Sequence, residues 1–147
     1  MKVDVKIKML DSGATMPTYG SAFSAGADLY YAGSEPLVIE GGKTVLVHTG
    51  VAMEIPEGLV GLIFARSGLA TKRSLAPANK VGVIDSDYRG EIMVALHNHS
   101  DIPQTVEPHE RVAQLVLMPY VAANFCHVEE LEETARGEGG FGSTGRK

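Results

Sequence analysis

Residues 81–96 read VGVIDSDYRGEIMVAL. An apolar run, Val81–Ile84, is followed by the polar segment Asp85-Ser86-Asp87-Tyr88-Arg89-Gly90 and then by a second run, Glu91–Leu96. Two short β-prone runs around an Asp- and Gly-rich turn predict two strands, with the polar segment at or near the tip of a hairpin. Working outward, the same cadence continues. Apolar runs at Leu37–Ile39, Thr44–Val47, Val51–Ile55, Leu59–Phe64, Arg111–Met118 and Phe125–Val128 recur at about 8–12-residue spacing, separated by Gly, Pro, Asn and Asp clusters. Val3, Val5, Ile7 and Met9 alternate with Asp4, Lys6 and Lys8, which predicts a half-buried strand almost from the first residue. Only Gly68–Ser74 (GLATKRS) reads as helix, one or two turns long, with Ser67 placed to cap it. The chain is therefore expected to be all-β: a sandwich, barrel or jelly roll.

A chain of 147 residues is the size of one domain with one core. Its 44% hydrophobic and 21% charged residues are the mix of a soluble globular protein, not of a disordered or membrane chain. No segment approaches the roughly 20 apolar residues of a spanning helix, and the opening MKVDVKIK lacks the plan of a leader peptide. An unprocessed, cytoplasmic protein without a membrane partner is the expectation. The single Cys126 has no partner for an internal disulfide, which suits a reducing compartment. A net charge of −5 argues against nucleic acid as a partner, because backbone binders carry basic faces. A polyanionic ligand would need a local cluster of cations and N–H groups, together with a metal ion.

Three elements carry possible chemistry. Ala65-Arg66-Ser67-Gly68, at a strand-to-helix junction, offers a guanidinium, a hydroxyl and backbone N–H groups to an anion, or is simply a capped helix with a surface arginine. The DSDYRG segment is either plain turn chemistry or a general base beside an aromatic platform. Asp28, among small and apolar neighbours in AGADLY, is either a structural partner for a buried arginine or a ligand. Gln114, polar inside an apolar strand, is a hydrogen-bonded structural amide or a group that orients water. His97 and His99 share a strand face but have no third ligand at zinc spacing, so surface or interface positions are expected for them. The Gly-rich tail RGEGGFGSTGRK cannot build a core. It divides the chain into a β domain, 1–135, and an arm, 136–147, that either hangs free or closes over a ligand. It is no P-loop, because Arg146 follows Gly145 where that motif needs Lys and then Ser or Thr.

Taken in order, five segments resemble the signature blocks of the trimeric deoxyuridine triphosphatase (dUTPase) family. They are AGADLY at 25–30, RSGLA at 66–70, VGVIDSDYRGEI at 81–92, ERVAQL at 110–115 and RGEGGFGSTG at 136–145. The resemblance implies a jelly-roll or distorted-barrel subunit and a homotrimer whose active sites are built from all three chains. It also implies Mg²⁺-assisted hydrolysis of dUTP to dUMP and pyrophosphate by attack of water on the α-phosphorus. That reaction limits uracil in DNA and supplies dUMP. Carried over residue by residue, Arg66, Ser67 and Gly68 would grip phosphates, and Gly82, Val83 and Ile84 would hold uracil through backbone groups. Tyr88 would pack on the deoxyribose. Asp85 would activate the water, Gln114 would help to place it, and Asp28 and Arg111 would support the site from behind. On the arm, Phe141 would stack on uracil with Gly142 beside it, while Arg136, Ser143 and Thr144 reach the γ-phosphate. Mg²⁺ would sit on phosphates and water, with Asp28 at most reaching it through water.

Asn79 and Lys80 stand near positions where many relatives carry small residues, so the rim of the uracil pocket is expected to differ in detail, and His109 stands where Gly is usual, which is expected to alter a turn or a subunit contact. Two rivals share the plan: a dCTP deaminase, and a nucleotide-binding trimer without turnover. Against the second, Asp85, Gln114, Arg66 and Phe141 are all retained.

Overall fold

A computed structural model describes residues 2–140. The strands are β1 (Lys6–Met9), β2 (Thr18–Tyr19), β3 (Ala27–Tyr30), β4 (Leu37–Ile39), β5 (Thr44–Glu54), β6 (Leu59–Phe64), β7 (Leu75–Pro77), β8 (Gly82–Ile84), β9 (Glu91–Asn98), β10 (Gln104–Val106) and β11 (Arg111–Pro119). Among the described residues one helix, α1 (Ser67–Arg73), lies between β6 and β7. They form a four-stranded sheet in the order β1-β5-β9-β7, a five-stranded sheet in the order β2-β3-β11-β6-β8, and a β4-β10 ribbon. Every pairing is antiparallel. The described strands make open sheets and close no barrel.

The alternation on β9 shows how the sequence builds this. Ile92, Val94, Leu96 and Asn98 face inward and are buried, while Met93, Ala95 and His97 face out. From the five-stranded sheet, Leu29, Ile63 and Leu115 meet the same core. Each such large apolar side chain contributes about 1.5–3 kcal/mol relative to exposure. The one amide in this layer, Asn98, is fully paired. Its Nδ2 donates to the Ile39 carbonyl at 2.9 Å and to that of Ile102 at 2.7 Å, and its Oδ1 accepts the Ser100 N–H at 2.9 Å.

Several expectations change. The runs Val81–Ile84 and Glu91–Leu96 are not a hairpin: β8 pairs with β6 and β9 with β5 and β7, so Asp85–Gly90 crosses from one sheet to the other. Thr44–Val47 and the run from Val51 to Glu54 belong to one strand, β5, with an irregularity between His48 and Ala52, and Ile55 lies just past its end. The first strand begins at Lys6, and Val3 and Met9 are exposed. Phe125–Val128 forms no strand, and Phe125 is 94% exposed. Ser67 is the first helical residue rather than the cap. Arg66 takes the cap position with extended backbone and no side-chain cap bond. His109 has φ 60, which gives the physical reason a glycine suits that turn.

Candidate active site

Two clefts collect most of the residues singled out above. The first forms where β11 lies between β3 and β6. Gln114 is paired with Asp28 on one side and Phe64 on the other, so the three share the outward face of the five-stranded sheet. Arg111 would alternate onto the core side with Ala113, but the register shifts between them. Arg111 is paired with Tyr30 and thereby joins the face of Asp28. The bulge leaves Val112 and Ala113 buried and turns a cation outward.

Asp28, only 8% exposed, is held by both arginines: Arg66 Nε donates to Oδ1 at 2.8 Å and Arg111 Nη1 to Oδ2 at 3.3 Å. Gln114 Nε2 donates to the Ala65 carbonyl at 2.8 Å. Its amide oxygen lies against the backbone of Gly26, where a Cβ would stand 2.3 Å from it, so only glycine admits this placement. Ser67 and Arg66 complete a cleft of about 480 Å³. Gly68 is exposed at the first turn of α1 and lies outside its lining.

The second cleft, about 340 Å³, lies between the Asp85–Gly90 crossing and the outward face of the four-stranded sheet. Gly82, Val83, Ile84, Asp85 and Tyr88 line it, with Leu46, Met93 and Ala95 beneath. The Tyr88 N–H closes a turn on the Asp85 carbonyl at 3.1 Å, and its hydroxyl donates to the Glu91 carbonyl at 2.9 Å. The ring lies across Gly90, where a Cβ would come within 2.4 Å of the hydroxyl oxygen. Arg89 folds back onto the carbonyls of Ser86 and Tyr88 at 2.7 and 3.0 Å. Asn79, expected only to alter the rim, and Glu91, not singled out in the sequence, both line this cleft. Glu91 holds the Gly50 N–H at 2.8 Å and His48 Nδ1 at 2.9 Å. Glu91 lies in the block at 81–92 but was given no role there, since its contacts follow from two strands that are distant in sequence.

Asp85 also borders an open trough of about 960 Å³ with Leu62, Val83 and Glu54. A hydrogen bond and the charge of Lys6 hold the exposed Glu54 carboxyl below its ordinary range. Arg136 donates to the Gly139 carbonyl at 2.8 Å and lines neither cleft. Phe141, Gly142, Ser143 and Thr144 lie outside the described residues. His97 and His99 meet edge to face at 4.4 Å, and His97 Nδ1 is 2.8 Å from Thr44 Oγ1.

The structure thus gathers Asp28, Arg66, Ser67, Arg111 and Gln114 in one cleft, and Gly82–Ile84, Asp85 and Tyr88 in another. The two linings share no residue. Within one chain, Asp85 and Gln114 do not meet across a common cleft.

A family profile described as dUTPase matches residues 12–145. A deoxyuridine 5'-triphosphate nucleotidohydrolase of Acinetobacter baumannii is 49% identical, with 100% of both chains covered. The protein of that name from Glaesserella parasuis is 46% identical over 99% of each chain. Among solved structures, a mutant Staphylococcus bacteriophage 80alpha dUTPase with dUpNHpp superposes with a TM-score of 0.89 at 30% identity, covering 98% of this chain and 99% of that one. A mutant dUTPase from phage phi11 of S. aureus, whose structure is described as showing coordination of a structural Mg(II) ion, gives 0.80 at 27% identity, covering 89% and 100%. With the profile spanning nearly the whole chain and close to half of all positions shared over full length, the chain belongs to the dUTPase family.

Proposed function

We propose that the two clefts are halves of one dUTP site, completed only when the Asp85 cleft of one subunit meets the Arg66–Gln114 cleft of another in a homotrimer. The reaction is hydrolysis of dUTP to dUMP and pyrophosphate. The observation that carries the shared-site reading is the separation itself: Asp28, Arg66, Ser67, Arg111 and Gln114 line one cleft, and Gly82–Ile84, Asp85 and Tyr88 line another. Association is further supported by the outward face of the five-stranded sheet. There Val60, Leu62, Phe64, Val116 and Met118 stand side by side, with Val83 62% exposed next to Leu62. Val121, Phe125 and Leu131, beyond the last described strand, are largely exposed. Apolar surface of this kind supports a contact with another chain.

Phosphoryl transfer asks for in-line placement and charge neutralisation, with no covalent nucleophile. Arg66, the Ser67 hydroxyl and the N–H groups of Ser67 and Gly68 hold phosphates, while Arg111 and Asp28 fix the Arg66 guanidinium. Asp85 takes the proton of the attacking water, and Gln114 orients that water. Backbone groups of Gly82–Ile84 and the Asn79 carboxamide face uracil, and Tyr88 packs on the deoxyribose. When bound, Mg²⁺ offsets phosphate charge. Among the described residues no group of three or more His, Cys, Asp or Glu is placed to hold a metal ion. Asp28 already gives both oxygens to arginines, so it reaches the ion only through water. The arm, 136–147, closes the site, with Phe141, Gly142, Ser143 and Thr144 on the nucleotide and Arg136 turning to the γ-phosphate. The protein works in the cytoplasm. No described helix is long and apolar enough to cross a membrane.

The test is pyrophosphate release from dUTP, UTP, dTTP and dCTP, with ammonia followed for dCTP. Wild-type protein is expected to prefer dUTP and to release no ammonia. Tyr88→Ala is expected to reduce the dUTP-to-UTP ratio of kcat/KM by at least about tenfold, since a site loses discrimination when the group that excludes a hydroxyl is removed. An unchanged ratio would place sugar selection elsewhere.

A further inference from the structure

Helix α1 begins at Ser67, in the cleft assigned to phosphates, and ends at Arg73. The Arg73 guanidinium donates to the Glu110 carboxylate and to the Thr105 carbonyl, with Nε 3.5 Å from the Gln104 amide oxygen. The other Glu110 oxygen accepts the Glu107 N–H at 2.9 Å, and the Glu110 carbonyl accepts the Tyr31 N–H at 2.9 Å. One ion pair therefore joins the end of α1 to β10, to the turn before β11, and to the residue that follows β3. Those neighbours carry the rest of the cleft: β3 bears Asp28, and β11, starting one residue after Glu110, bears Arg111 and Gln114. Neither Arg73 nor Glu110 lines the cleft itself. Their side chains are 31% and 24% exposed, partly withdrawn from water, where a charge-assisted pair is stronger than on an open surface.

We propose that the Arg73–Glu110 pair is a clamp that positions the phosphate-binding groups, holding Arg66 and Ser67 in register with Arg111 and Gln114. The inference rests on the assignment of that cleft to phosphates. A helix of seven residues cannot hold its direction through its own hydrogen bonds. Within α1 only Leu69 is buried against the core. At about 1.5 Å per residue the helix is roughly 10 Å long, so a tilt of about 10° at its anchored end displaces its start by about 2 Å. A misplacement of about 1 Å is enough to cost on the order of 100-fold in rate. The pair therefore acts at a distance from the nucleotide, through the direction of the helix.

The experiment uses intact wild-type protein, Arg73→Met, Arg73→Lys, Glu110→Gln and the Arg73→Met/Glu110→Gln double variant. Each is checked for assembly and melting temperature. Binding of pyrophosphate with Mg²⁺ and binding of deoxyuridine are measured by calorimetry, and kcat and KM are measured with dUTP. Arg73→Met is expected to weaken pyrophosphate at least tenfold and to lower kcat, while deoxyuridine affinity stays within twofold. Arg73→Lys should recover part of the loss. The double variant should be no worse than Arg73→Met, because both changes break one coupling. A merely structural pair would weaken both ligands alike or neither, and either result overturns the clamp. Pyrophosphate bound equally by wild type and a folded Arg73→Met would overturn the clamp alone. A wild type that binds no pyrophosphate would overturn the phosphate assignment together with it. Should Arg73→Met fail to assemble, Arg73→Lys and Glu110→Gln carry the same comparison, and unchanged pyrophosphate affinity in both would reject the proposal.

Discussion

Asp85→Asn is expected to lower kcat by about 10²–10⁴-fold, the usual worth of a positioned general base, with assembly and nucleotide affinity retained. The carboxamide has nearly the same shape but cannot take the proton of the attacking water. Structural damage is not expected, because among the described residues the Asp85 carboxylate makes no hydrogen bond of its own. The backbone of the crossing is held instead by the Tyr88 N–H on the Asp85 carbonyl and by Arg89 on Ser86. Steady-state kinetics at saturating Mg²⁺, beside a thermal melt, make the measurement. Turnover near the wild-type rate would remove Asp85 from the role of base.

Arg66→Ala is expected to reduce kcat/KM by about 10²–10³-fold, the scale on which one preorganised donor to developing charge is valued. The cost falls on phosphate binding and on chemistry together, so KM and kcat should both move. Asp28 keeps Arg111 as a partner at 3.3 Å, so the carboxylate is not stranded and the variant should fold. Arg66→Lys keeps a charge but not the side-on Nε donor that meets Asp28, and should fall between the two. Kinetic constants unchanged in Arg66→Ala would take the first cleft out of the phosphate site.

How much of this was written in the sequence differs from element to element. Leu37–Ile39 and Leu59–Phe64 match β4 and β6 at both ends, and Arg111–Met118 matches β11 to within one residue. These runs are long or cleanly bounded, and a two-residue period tells which side chains turn inward. It does not tell which strands pair. The expected hairpin failed on that point: VGVI and EIMVAL are adjacent in sequence, yet each finds a better partner in a different sheet. Phe125–Val128 has strand composition but pairs with no edge strand of the described sheets. β-propensity is mainly packing against neighbours, and the segment stays exposed without them. Thr18–Tyr19, Leu75–Pro77 and Gln104–Val106 are too short to show a period at all.

The site was legible as residues and not as a place. Blocks such as AGADLY and ERVAQL pointed to Asp28, Arg111 and Gln114. That Asp28 is shared between two arginines depends on the bulge at Val112, which no motif records. The contribution of Asn79 and Glu91 to the second cleft arises from a crossing between sheets. The resemblance implied sites built from several chains, but not that Asp85 and Gln114 line separate clefts of one chain.

That separation is the basis of the proposed shared site, and it can be tested by mixing two inactive proteins. Asp85→Asn lacks the proposed base in one cleft, and Arg66→Ala lacks the proposed phosphate donor in the other. Each alone should be nearly inactive. Co-refolded in equal amounts, random trimers should place an intact Asp85 opposite an intact Arg66 from a different chain in roughly a quarter of sites. Pyrophosphate release is the readout, with size-exclusion chromatography and native mass spectrometry confirming that mixed trimers form. The account predicts recovery to about a quarter of wild-type activity, as the cyclic arrangement requires. Mixed trimers that form and stay as inactive as the parent variants would contradict it, since every intact Asp85 would then share its site with an absent Arg66.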